Sequence, residues 1–111
     1  MSDLVSKRCV ACTAQTPRVP PDEVNRLLAG LAGYAADPEA RSISKTYEFS
    51  DFYETMAFVN ALAYIAHVED HHPELAVSYN RCLVTYSTHA IGGLSENDFI
   101  CAAKIEALAR R

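Results

Sequence analysis

From Asp51 to about His67 the chain carries neither glycine nor proline, and this stretch limits the folds open to it more than any other. Phe52, Met56, Val59, Leu62, Ala63 and Ala66 recur at the spacing of one helical face, and Phe58, Ala61 and Ile65 widen it. Ser50 stands where an N-cap is wanted, and Asp51 suits the first turn. The stretch predicts the longest and most apolar helix of the protein, lying across a sheet as the core. Its Met and Phe residues are then packing groups.

Alternating segments on either side supply that sheet. Between Ser42 and Phe49, the residues Ile43, Lys45, Tyr47 and Phe49 share one face, while Ser44, Thr46 and Glu48 take the other. The stem of Lys45 can lie along the apolar face with its amine in water. Tyr34-Ala35-Ala36 is a shorter strand candidate. Asp37-Pro38-Glu39-Ala40 is turn chemistry, so these two strands form a hairpin. Beyond the long helix, Pro73 disfavours helical geometry at His72. Leu75, Val77 and Tyr79 then alternate, Asn80-Arg81 reads as a tight turn, and Cys82 to Thr88 alternates again as the second arm of a second hairpin.

Helices close both ends. Pro20-Pro21-Asp22-Glu23 opens the first, with proline tolerated in the first turn and acids favoured at the positive end of the dipole. Val24, Leu27, Leu28 and Leu31 form its apolar stripe, and Gly30 and Gly33 end it. After the turn Ile91-Gly92-Gly93-Leu94, Ser95 reads as an N-cap with Asp98 at the third helical position, a capping-box variant. The last helix runs from Phe99 to Arg110, with Arg110 and Arg111 suited to its negative end. The order α-β-β-α-β-β-α predicts an α+β fold: a four-stranded antiparallel sheet with three helices packed on one face. Residues 1–19 show no period and are expected to be a flexible leader. Residues 20–111 then make a single domain, as the length of 111 residues favours.

All four histidines gather around one corner of this plan. His67, His71 and His72 lie within six positions, and His89 follows the last strand, whose return brings it back beside His71 and His72. Histidine titrates nearest neutrality of all side chains, at about 6.5, so it exchanges protons at working pH. Two chemistries fit. As metal ligands, His67 and His71 stand four apart on a continued helix, with His72 or His89 completing three, though no carboxylate or cysteine completes a familiar set. As proton carriers, His71 and His72 splay apart on extended backbone while His89 approaches from the neighbouring strand, a cup able to serve as acid to one group and base to another. Ordinary hydrogen-bonded histidines are the third possibility.

The cysteines separate into two kinds. Cys9-Val10-Ala11-Cys12 has the spacing of half a zinc site without a second pair, and otherwise is two thiols on the leader. Cys82 and Cys101 sit inside apolar segments as small hydrophobes. A net charge of −4 argues against a general electrostatic grip on nucleic acid or an anionic membrane. No apolar run approaches the ~20 residues needed to span a bilayer. Met1-Ser2-Asp3-Leu4 lacks the basic-then-apolar start of a signal peptide, so a cytoplasmic protein with reduced thiols is expected.

From about Ile43 to Leu108 the chain resembles the pterin-4a-carbinolamine dehydratases. The residues carrying the likeness are Tyr47-Glu48-Phe49-Ser50-Asp51-Phe52, Ala57-Phe58, Asp70-His71-His72-Pro73-Glu74, Tyr79-Asn80, Ser87-Thr88-His89, Gly93-Leu94-Ser95 and Asp98. The paired cysteines of the leader look like the bacterial branch. The resemblance implies a dehydratase acting on 4a-hydroxytetrahydropterin, the by-product of aromatic amino acid hydroxylases. It implies catalysis by His71, His72 and His89, with Asp70, Ser87, Thr88 and Ala90 joining those histidines around the pterin. His67 and Asp98 would support them, Asp98 either by orienting an imidazole such as His89 or by capping its helix. Neither cofactor nor metal is implied, and a homodimer or homotetramer is.

The chain departs from the family pattern at two places. His67 replaces a usual glutamate, and Tyr34 stands where a tryptophan is common after the first helix. Relatives of the fold also act without catalysis, as a dimerisation factor for a transcriptional coactivator or as rubisco assembly factors, where rubisco would be a protein partner. The retained histidine trio favours the enzyme.

Overall fold

Two β-hairpins share one antiparallel sheet, and the long helix connects them. The computed structural model describes residues 4–109; the expectations resting on Met1-Ser2-Asp3 and on Arg110 and Arg111 lie outside them. The strands are β1 (Ala35–Ala36), β2 (Ile43–Glu48), β3 (Glu74–Ser78) and β4 (Arg81–Tyr86), in the spatial order β1-β2-β4-β3. The helices are α1 (Pro21–Leu28), α2 (Phe52–Glu69) and α3 (Glu96–Ala109), packed on one face of the sheet. The α+β order is as the hydrophobic periods require. No helix of the described residues is long and apolar enough to cross a membrane.

Register explains which strand residues meet the helices. Ile43 pairs with Tyr86, Lys45 with Val84 and Tyr47 with Cys82. Opposed residues share a face, so Ile43, Tyr47, Cys82, Val84 and Tyr86 form the inner surface, and all five are buried. Lys45 lies on that face, half-buried, and its amine is tied to α3 and to the loop after α1. Its Nζ donates to Glu106 Oε1 and to the Ala32 carbonyl, both at 2.8 Å. A carboxylate from α3 within reach makes this arrangement better than a free ammonium.

The core is centred on α3 rather than α2. Asn97 through Ala103, with Ile105 and Glu106, are buried on α3, whereas α2 buries Thr55, Phe58 and Leu62. Small residues at Cys101, Ala102 and Ala103 allow α3 close approach, so Phe99 and Ile105 are fully enclosed. Burial of such side chains contributes roughly 1.5–3 kcal/mol each. The inward line of α2 is also rotated by one position from the expected stripe: Phe52 is exposed and Thr55 is buried. The Thr55 hydroxyl donates within the Asp51 carbonyl's reach at 2.8 Å and lies 3.1 Å from the Tyr79 carbonyl, which fixes that rotation.

Three local details differ from expectation. Asp51, not Ser50, is the N-cap of α2, accepting from the Glu54 amide at 2.8 Å, while Glu54 reaches back to the Ser50 amide. Ser78 pairs with Arg81, so Tyr79-Asn80 forms the turn of the second hairpin. β4 ends at Tyr86, and His89 belongs to a short 3-10 turn, His89–Ile91, instead of to the strand.

Candidate functional site

The corner after α2 is set by one backbone conformation. Asp70 adopts the left-handed region, φ 53°, as the C-cap of α2. Aspartate tolerates that region better than most residues. The His71 amide then donates back to the Ala66 carbonyl at 3.1 Å, closing the helix end. Because α2 stops at Glu69, His71 lies beyond the helix and does not continue a face with His67.

The turn aims His71 at α3. Its Nε2 lies 2.6 Å from Asp98 Oδ1, and its ring lies parallel to that of Tyr86, 7° apart in plane, with centroids 5.9 Å apart. Asp98 has no solvent exposure. A buried carboxylate needs donors, and it has them: the Thr88 hydroxyl at 2.7 Å and the Ser95 amide at 2.9 Å, both on Oδ2, besides His71 on Oδ1. The Ser95 hydroxyl is 2.7 Å from that of Thr88. Asp98 thus combines contacts that the sequence leaves as alternatives. It caps α3 through Ser95 and orients an imidazole, which is that of His71 and not that of His89. The Tyr86 hydroxyl is buried and has no hydrogen-bond partner among the described residues, and burial pushes its pKa well above the ordinary phenol value.

The other histidines are placed differently. His67, His72 and His89 are exposed. His89 Nε2 lies 4.0 Å from Glu74 Oε2, so the 3-10 turn faces the start of β3, two residues past His72. Thr88, directly before His89, bonds Asp98, and this joins the two halves of the site. Ser87 is half-buried and Ala90 exposed at the same rim. A bridge between Thr88 and Gly93 closes the loop, the Thr88 amide donating to the Gly93 carbonyl at 2.8 Å.

Sequence reasoning missed two residues that hold this frame. Arg18 donates from Nη2 to the Ile91 carbonyl at 2.7 Å, and its side chain lies against Gly93, where a Cβ would stand 2.6 Å from Nε. Glu69 ties three elements together: its Oε1 accepts from the Cys9 amide at 2.8 Å, and its Oε2 faces Arg8 at 3.1 Å and Lys104 at 3.8 Å. Burial alone would raise the Glu69 pKa, but the Cys9 amide, Lys104 and Arg8 together hold it below the ordinary carboxylate value. The segment 4–19 is thereby joined to the ends of α2 and α3. Leu4 is buried, and Asn97 both donates to and accepts from Val10.

Among the described residues, no group of three His, Cys, Asp or Glu side chains is placed to hold a metal ion. Cys9 and Cys12 turn to different partners: the Cys9 sulfur lies 3.4 Å from that of Cys101, while Cys12 accepts from Asn97 Nδ2 at 3.0 Å. Chemically, the corner offers one enclosed imidazole fixed by a carboxylate, with exposed His72 next to it in sequence and exposed His89 on the turn that Thr88 opens.

The sequence model described as Pterin 4 alpha carbinolamine dehydratase matches residues 17–108. A Nitrosospira multiformis protein named "Putative pterin-4-alpha-carbinolamine dehydratase" is 50% identical over 108 residues, covering 97% of this chain and 94% of its own. The crystal structure of a transcriptional coactivator/pterin dehydratase from Brucella melitensis is similar at a TM-score of 0.80 and 34% identity, over 84% of this chain and 99% of that one. A pterin dehydratase-like protein described as a RuBisCO assembly factor in the alpha-carboxysome shares the fold, with a TM-score of 0.61 at 23% identity, over 69% of this chain and 89% of that one.

Proposed function

The chain belongs to the pterin 4 alpha carbinolamine dehydratase family, and on that premise we propose that it removes water from a 4a-hydroxytetrahydropterin to give quinonoid dihydropterin, by histidine general acid/base catalysis. The observation that carries this reading is the His71–Asp98 pair, joined through Thr88 to the turn that bears His89. The reaction needs a proton delivered to the C4a hydroxyl, which leaves as water, and a proton removed from N5, whose electrons form the new C=N bond. One proton enters and one leaves, so imidazoles suffice and no redox cofactor or metal is called for.

In this scheme Asp98 occupies Nε2 of His71, and proton exchange with the guest runs through Nδ1. His72 and His89 serve from the open side. Asp70, Ser87, Thr88 and Ala90 frame the flat ring, and His67 supports the rim from the last turns of α2. The substrate would be the hydroxylated pterin released by aromatic amino acid hydroxylases, recycled in the cytoplasm. The test is a direct rate assay with a 4a-hydroxypterin in the presence of a chelator. Purified protein accelerates dehydration, and His72→Ala and His89→Ala each lose most of the activity. Unchanged rates in both variants would overturn the assignment and leave a protein-binding role, such as a coactivator dimerisation or rubisco assembly function, which needs no imidazoles.

Self-association belongs to the same reading. β3 is exposed along its whole length at the sheet edge, with Leu75, Val77 and Tyr79 open, and α2 presents Tyr53, Tyr64 and Val68 outward. An unpaired apolar edge is a template for pairing, and a second copy of the chain supplies a self-complementary surface about a two-fold axis. Light scattering at micromolar concentration should give a dimer or tetramer, and a monomer would contradict it.

A further inference from the structure

We propose that Cys9 and Cys101 are a modification site: a peroxide-driven intramolecular disulfide that straps residues 4–12 onto α3. The two sulfurs stand 3.4 Å apart, although 92 positions separate the residues in sequence. Bond formation requires them to close by about 1.3 Å, to the ~2.05 Å of a disulfide. The approach is not left to a loose chain end. The Cys9 amide is bonded to Glu69, and Val10 is held on both its amide and its carbonyl by Asn97, one turn before Cys101 on α3. Lys104, on the following turn, donates to the Val5 carbonyl at 2.8 Å. Cys9 is thus fixed from both sides above a buried partner.

The two thiols have unequal access, which assigns their roles. Cys9 is half-buried and Cys101 fully buried. The Cys9 sulfur attacks hydrogen peroxide: the O–O bond breaks, an S–O bond forms and water leaves, giving a sulfenic acid. Cys101 then attacks the Cys9 sulfur. The S–O bond breaks, the S–S bond forms, and the departing hydroxide takes the Cys101 proton as a second water. Two thiols lose two electrons, and one peroxide gains them. Cys101 is held protonated until then, by its hydrogen bond with Cys9 and by burial. Cys12 does not compete, because its sulfur is engaged by Asn97.

The bond fixes the segment that joins Glu69 to Asn97, at the end of α2 and the start of α3. His71 and Asp98 hang from those two places, so oxidation stiffens the frame of the pair without altering its members. It also removes a thiol that lies 3.9 Å from the His71 carbonyl.

The experiment treats folded, reduced protein with equimolar hydrogen peroxide, counts free thiols and maps peptides without reduction. The four thiols should fall to two, with a single Cys9–Cys101 linked peptide pair. Cys12→Ser should form the same link and Cys9→Ser should form none; the second position is half-exposed, so its serine variant keeps the core intact. Hydrogen exchange of the Cys9 and Val10 amides should slow at least about tenfold on oxidation. A Cys9–Cys12 bond, a bond between two chains, or sulfinic acid at Cys9 with Cys101 still reduced would each overturn the proposal.

Discussion

His71 and His89 flank one cluster of hydroxyls and carboxylate, yet the side chain of His71 keeps 11% of its surface in solvent and that of His89 keeps 73%. His71 is held by Asp98, which is itself held by Thr88 and Ser95. His89 has a 4.0 Å approach to Glu74, itself exposed. One side of the corner is therefore finished by folding, and the other is left open. A buried polar network of this kind defines a geometry only when every member is satisfied. An open rim can instead take its geometry from a guest. Stability and activity should separate along this line.

The largest effect is expected at Asp98. Asp98→Ala strips Thr88, Ser95 and His71 of their common acceptor in a site closed to water, and should lower unfolding free energy by about 3 kcal/mol or more. Equilibrium denaturation in urea measures it; a loss under about 1 kcal/mol would mean that the enclosed side is not the stiff one. Thr88→Val keeps shape and removes one donor, and should cost about 1–2 kcal/mol by the same measurement.

Acid should loosen the frame by a smaller amount. The Glu69 pKa is held below 4.5 by its contacts with the Cys9 amide, Lys104 and Arg8, which outweigh its burial. A depressed carboxylate contributes stability that is present above the unfolded pKa and is lost as pH falls through the folded one. Wild type should therefore exceed Glu69→Gln by on the order of 1 kcal/mol near neutrality. That advantage should shrink progressively below pH 4.5, the ordinary value for this carboxyl. A constant difference across that range would remove Glu69 from its place as an ionic hub.

How much of this was legible in the sequence depended on whether a residue's partner was local. β2 and β4 follow from a period of two because each buries residues on one face. α1 follows from the 3.6 spacing of Val24, Leu27 and Leu28, with Leu31 buried just past its end. β3 shows the same alternation although it buries neither face. α2 misled for a physical reason: apolar residues surround it, so its period does not say that Thr55 points inward and Phe52 outward. Asp98 reads from the sequence as a cap or an orienting group, but its partner depends on the left-handed turn at Asp70, which Asp70-His71-His72-Pro73 does not announce. Arg18 and Glu69 were invisible, since their partners lie 73 and 60 positions away. The Cys9–Cys101 contact was hidden for the same reason, while the nearer spacing of Cys9 and Cys12 drew notice.

The smallest effect on stability should come from the open rim, and there it is the most informative. His72 and His89 are exposed, and truncation of an exposed side chain away from a cap or network usually changes stability by less than about 0.5 kcal/mol. His89→Ala removes only a long, solvent-screened approach to Glu74, which contributes little to folding. If the rim is shaped by a guest, His89→Ala should match wild type in urea denaturation while losing most of its dehydration rate. Should it instead lose stability comparable to Thr88→Val, the 3-10 turn would be part of the enclosed network, and the division between a folded side and a guest-shaped side would fail.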